Sequence, residues 1–233
     1  MDSALVVQSI LATGAILFLI STIVLAILGT IKKNKIGLFH LFLILPVTII
    51  AGSAYLAMYL GLGTITLNGV TIQLARYVDW FITTPLLLIS LITIGLPPSS
   101  PSRWTLIWMV VFLDMYMIIT GALSAISQTS PFKWVWFVLS GLGLIGIGWL
   151  LYGSILKESK GSEPYIMLAT YLFILWIGYP IVWILSPSGV NVIDFATENA
   201  YYLILDFLAK AVFGLFLFSE LIFYNKKTLK LTP

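Results

Sequence analysis

Long apolar runs separated by short polar connections set the rhythm of this chain. Crossing a bilayer takes about 20 apolar residues at about 1.5 Å of rise each. Seven runs qualify: residues 4–31, 37–62, 74–96, 104–126, 132–156, 164–185 and 196–224. Their short connections predict antiparallel neighbours in one all-α seven-helix bundle, a single domain over residues 1–233. One connection has a pattern of its own. Between the second and third runs, Asn68-Gly69 separates TITL from VTIQL. Two β-branched runs around Asn-Gly predict a two-residue β-hairpin.

Composition agrees with the pattern. Of 233 residues, 60% are hydrophobic and 9% charged, against about 25% charged in soluble domains. The chain reads as a multi-pass protein of the cell membrane, surrounded by lipid, and nothing in it suggests nucleic-acid binding. It has no cysteine, and His40 is its one histidine, so a metal site or a thiol enzyme is not expected. No cleavable signal peptide is expected either. Asp2 replaces a basic start, and the first run exceeds a signal-peptide core.

Charge placement predicts orientation. Lys32, Lys33, Lys35, Arg103, Lys157, Lys160, Lys226, Lys227 and Lys230 fall on one side. The other side holds only Lys133, with Asp2, Asp194 and Glu198. Basic residues favour the cytoplasm, so the N-terminus is expected outside and the C-terminus inside. No signalling domain is expected in the short tail 225–233.

A few polar groups sit within the spans. Lys210 lies near the middle of the last one, one helical turn after Asp206. An ionised amine at that depth costs on the order of 3 kcal/mol or more. It can form a Schiff base, join a proton or ion path, or tie helices together as an ion pair. In the third run, Arg76, Asp79, Thr83 and Ser90 follow one another at spacings of 3, 4 and 7. At 100° per residue they point roughly one way, with Ser90 about 16 Å beyond Asp79. The four charges Arg76, Asp79, Asp206 and Lys210 are expected to meet as a neutral cluster. Aromatic residues are expected around them: Trp80, Trp136, Phe137, Trp176, Tyr179 and Trp183, the last three on one face around Pro180. An elongated apolar cofactor bound to Lys210 as an imine would fit such a slot.

Three stretches carry a resemblance: ARYVDWFITTPLLL (75–88), LWIGYPIVWILSPSG (175–189) and LDFLAKAVFG (205–214). They resemble the microbial rhodopsins, retinal proteins with seven helices. The resemblance implies all-trans retinal on Lys210 as a protonated Schiff base. It implies Asp79 as primary counter-ion and proton acceptor, Asp206 as second counter-ion, and Arg76 as the gate towards the outside. Trp80, Trp176, Tyr179, Phe137 and Trp183 would line the chromophore, with Leu87 at a colour-tuning place as in green-absorbing members. Tyr55 would bond near Asp206, and Asp114 would be structural. Protons would leave past Arg76, Glu198 and Tyr77. Homo-oligomers are usual in such families.

Two features set this chain apart. Strong outward pumps of the family commonly carry a carboxylic acid where Ser90 stands, and serine is no proton reservoir. Slow recovery after light is expected, unless water or Glu220 substitutes. WIGYPIVWILSPSG and TTPLLLISL also look like the cyanobacterial sensory rhodopsins and inward-pumping xenorhodopsins. Those typically have proline in place of Asp206. Three functions therefore stay open: a light-driven outward proton pump, which Asp206 favours; a photosensor acting through a signalling partner; and an inward proton pump. An enzyme, an anion pump or a sodium pump is not expected.

Overall fold

The computed structural model describes residues 3–31, 35–127 and 129–219. Asp2, Lys32, Lys33, Glu220, Lys226, Lys227 and Lys230 lie outside the described residues. Seven long helices are found among them, all apolar enough to cross a membrane. They are α1 (Ser3–Ile31), α2 (Lys35–Tyr59), α3 (Leu74–Gly95), α4 (Arg103–Ile126), α5 (Phe132–Glu158), α6 (Glu163–Leu185) and α7 (Phe195–Ser219). The expected spans match to within a few residues. The second ends at Tyr59 rather than at residue 62, because the chain turns there into the hairpin.

The hairpin forms as its sequence predicts. β1 (Thr64–Leu67) pairs antiparallel with β2 (Val70–Gln73), Leu67 opposite Val70. Asn68 and Gly69 both take positive φ, 50° and 81°, the backbone a two-residue primed turn needs. The hairpin marks one end of the bundle, and its tip forms a recess with Ile126, Phe132 and Trp136. At the same end, Lys133 Nζ donates to the carbonyls of Ser188 and Gly189 at 3.0 and 2.9 Å, joining α5 to the α6–α7 connection. Asp194 caps α7 by accepting from the Thr197 N–H at 2.7 Å. That N–H holds the Asp194 carboxyl below its usual value. At the far end, the hydroxyls of Ser100 and Ser102 bond Glu158.

The helices expose apolar side chains, such as Phe42, Phe112 and Trp149. In lipid that is the expected inversion of a soluble surface. α3 is the most enclosed helix and α1 the least. α3 packs against α2, α4 and α6, while α7 packs against α1, α2 and α6. One continuous apolar core, mainly Leu, Ile and Val with Phe213 and Phe218 and including Leu87, Leu91 and Leu217, fills the half of the bundle away from the hairpin. The prolines Pro46, Pro85 and Pro180 lie inside continuous helices, which neighbouring helices make tolerable in a membrane.

Two helices contain a widened π turn: α5 at Leu150–Ile155 and α7 at Phe207–Val212, the segment of Lys210. A π turn loosens the regular backbone ladder. In both, α6 supplies a partner. Tyr165 Oη donates to the Leu151 carbonyl at 2.8 Å, and Tyr171 Oη to the Leu208 carbonyl at 3.0 Å.

A buried lysine with two carboxylates

Lys210 is 1% exposed, enclosed with Asp79 and Asp206 in the middle of the bundle. Its Nζ donates to Asp79 Oδ2 and lies 3.4 Å from Asp206 Oδ1. These two pairs are the ion pairs found among the described residues. One turn of α7 separates Asp206 from Lys210, so both face the same side, and α3 brings Asp79 to the nitrogen from across the bundle.

The two carboxylates are held differently. Asp206 accepts from three side chains: Tyr55 Oη at 2.8 Å on Oδ2, and Trp80 Nε1 at 2.9 Å and Tyr179 Oη at 3.0 Å on Oδ1. Asp79 has a looser shell. Besides Lys210, it has Thr83, whose Oγ1 donates to the Asp79 carbonyl at 2.8 Å and lies 3.2 Å from Oδ1. Asp206 thus accepts from three neutral side-chain donors and Asp79 from one.

Arg76 does not join the ion pairs, contrary to the expected four-charge cluster. Its Nη2 donates to Asn199 Oδ1 at 2.7 Å, and its guanidinium lies 4.5 Å from the centre of the Tyr202 ring. The reason is local: three neutral donors already occupy Asp206, and Tyr202 offers the guanidinium an aromatic face. Glu198, buried on α7 beside Asn199, is within electrostatic reach of Arg76, and its Oε2 has no hydrogen-bond partner among the described residues. Arg76, Asn199 and Glu198 therefore form a second polar group, nearer the hairpin end than Lys210.

Beside the charges lies an aromatic cavity of about 100 Å³, open on one side. Trp80, Phe137, Trp176, Tyr179 and Trp183 line it, together with Pro180, Tyr77, Thr84, Met117, Gly121, Gly141 and Tyr202. Phe137 stacks on Trp183 at 4.8 Å, and Trp80 meets Tyr179 edge-on at 5.0 Å. Trp80 and Tyr179 thus serve the cavity wall and Asp206 together. Trp136 is a correction: it faces the hairpin recess, and Trp134 packs on Trp183 in its stead. Leu87 is fully buried in the apolar core and is absent from the cavity wall. Tyr55 likewise serves Asp206 rather than the wall. Asp114 accepts from Thr84 Oγ1 at 2.7 Å, a link between α3 and α4.

Ser90 lies toward the far end, fully buried, with its Oγ 2.8 Å from His40 Nδ1. Sequence reasoning missed this partner and missed Asn199. Asn199 carried a signal, since it precedes Asp206 by seven residues, two turns on one helix face.

Seven membrane-crossing helices around a buried lysine, two carboxylates and an aromatic cavity define a class of protein. The chain belongs to the family of bacteriorhodopsin-like proteins, whose pattern matches residues 6–222. It is 32% identical over 216 residues to archaerhodopsin-3 of Halorubrum sodomense, covering 89% of this chain and 82% of that one. It is also similar to the thermophilic rhodopsin of Rubrobacter xylanophilus, with a TM-score of 0.87, 32% identity, and 91% and 95% of the two chains covered. The light-driven proton pump of Coccomyxa subellipsoidea superposes with a TM-score of 0.81 at 31% identity, over 94% and 96% of the chains. Members of this family bind retinal through a Schiff base to a lysine. The residues present fit that group: a buried amine already balanced by two carboxylates, next to an aromatic cavity whose walls include the small residues Gly121 and Gly141.

Proposed function

We propose that the chain is a light-driven outward proton pump, one retinal-binding domain with the chromophore joined to Lys210. The observation that carries this reading is the unequal pair of carboxylates at the lysine nitrogen. Retinal bound there supplies absorption of visible light and a change of shape that re-aims the nitrogen's proton. The side chains do the rest. Asp79 is the acceptor, because it takes the lysine's bond directly and has only Thr83 as a further side-chain donor. Asp206, fixed by Tyr55, Trp80 and Tyr179, keeps its charge and holds the site's balance. Thr83 steadies Asp79. Trp80, Phe137, Trp176, Tyr179 and Trp183 would hold the chromophore against apolar walls.

The exit lies toward the hairpin. Arg76, Asn199 and Glu198 form the polar route from Asp79 to that end, with Tyr77 near it. Arg103, Lys157 and Lys160 at the far end favour the cytoplasm, so the hairpin end faces outward. That the Coccomyxa relative is described as a light-driven proton pump supports the same reading.

A photosensor with a slow cycle is the second reading, favoured by one observation: Ser90, at the far end, cannot store a proton as an acid would. Illumination of cells or oriented vesicles under a pH electrode separates the readings. Outward pumping acidifies the medium, and a protonophore abolishes the signal. Alkalinisation supports inward pumping, and a steady pH supports sensing through a partner.

A further inference from the structure

We propose that His40 and Ser90 together form the port through which protons enter from the cytoplasmic end, an imidazole and a hydroxyl doing the work of a carboxylic acid. The inference rests on the pumping reading above.

The geometry is specific. His40 Nδ1 and Ser90 Oγ lie 2.8 Å apart, and the two residues are 2% and 0% exposed. Ser90 stands 11 residues beyond Asp79 on α3, about 16 Å along the helix axis. It is therefore well removed from the lysine on the side where a returning proton must arrive. An imidazole and a hydroxyl can each donate and accept, so the pair can pass a proton without either keeping a charge.

The surroundings hold few other groups for this task. α1, α3 beyond Asp79 and α7 from Ala211 to Ser219 carry no charged side chain. The charged group acting on His40 is Arg103 at the start of α4, and on its own helix the Phe39 ring meets it edge-on at 5.4 Å. Leu87, Leu91 and Phe213, buried in the core toward Lys210, keep a proton at this port from moving inward before light opens the way.

The transfer balances. With His40 in the Nδ1–H tautomer, that proton moves to Ser90 Oγ as the serine hydroxyl gives its own proton inward. One proton from the cytoplasmic side enters at His40 Nε2. The imidazole ends as the other neutral tautomer and the serine as a hydroxyl, and exchange with water resets both.

The test uses the full chain with retinal in lipid vesicles, comparing the parent with His40→Gln, His40→Ala and Ser90→Ala. A flash apparatus records the rise and decay of the absorbance change that needs Asp79, and a pH electrode records pumping. Decay is expected to slow roughly 10-fold or more in all three variants, with the rise unchanged. Added imidazole should speed the decay of His40→Ala and leave that of Ser90→Ala slow. Gln can keep a bond to Ser90, so a merely structural role predicts parent-like decay in His40→Gln. Decay in the His40 variants as fast as in a pumping parent overturns the inference and leaves the pumping reading intact. A parent that shows a flash response but no pH change overturns the pumping reading, and this inference with it.

Discussion

Tyr55→Phe isolates one bond in the site without changing its shape. The phenol is fully buried and donates to Asp206 Oδ2 at 2.8 Å, the one side-chain donor that oxygen has among the described residues. A hydrogen bond to a charged group contributes about 1.5–3 kcal/mol, and one to a neutral carbonyl about 0.5–1.5 kcal/mol. In a chain of 233 residues, 1 kcal/mol shifts a melting temperature by about 2–4 °C. Tyr55→Phe should therefore lower the temperature at which the visible band bleaches in the dark by roughly 3–12 °C. Tyr179→Phe should do less, because Oδ1 keeps Trp80 at 2.9 Å and Lys210 at 3.4 Å. Tyr171→Phe, which strips a phenol from the neutral Leu208 carbonyl, is the control and should fall about half as far as Tyr55→Phe. The assay is a thermal ramp of each variant in lipid, read at the absorption maximum. A Tyr55→Phe loss no larger than that of the control would refute the argument that Asp206 is a buried carboxylate held by these donors.

Other outcomes follow from the same geometry. Lys210→Ala should give no visible band on adding retinal; a band that survives removes the lysine from the reading. Ser90→Asp should accelerate the late decay of the flash signal by restoring an acid at the far end, and an unchanged decay would count against Ser90 as the slow point. Asp194→Ala should lower thermal stability at neutral pH by removing the cap on Thr197. The folded carboxyl sits below its ordinary value of 3.8, so its contribution is present above that pH and fades as pH falls below it. The gap between Asp194→Ala and the parent should then close in acid, as melting curves across that range would show.

Much of this was legible in the sequence because the signals were local. Seven apolar runs, an Asn-Gly between β-branched strands, and Asp206 one turn from Lys210 each follow from spacing along a single element. Trp176, Tyr179, Pro180 and Trp183 share a face for the same reason, and the cavity uses all four. What could not be read depends on how one helix is rotated against another. Helices apolar all round give few cues to that rotation. Arg76 could equally have met Asp206, and only packing directs it to Asn199 and Tyr202. Trp136 and Trp134 stand two residues apart on α5, and only one turns toward Trp183. His40 could have been matched to Ser90 by depth alone, since both lie a turn or two from the same end of their segments.

The two phenols on α6 have a mechanical consequence. Tyr165 and Tyr171 are six residues apart, so on one helix they point about 120° away from each other, one gripping α5 and the other α7. Sideways translation of α6 away from the bundle stretches both grips together, whereas a twist about its own axis strains them unequally. The carbonyls of Leu151 and Leu208, isotope-labelled and followed by infrared spectroscopy, thus act as a pair of strain gauges. Because Leu208 lies in the loosened turn that carries Lys210, the second gauge also reports how far any motion of α6 is felt by the lysine's own backbone.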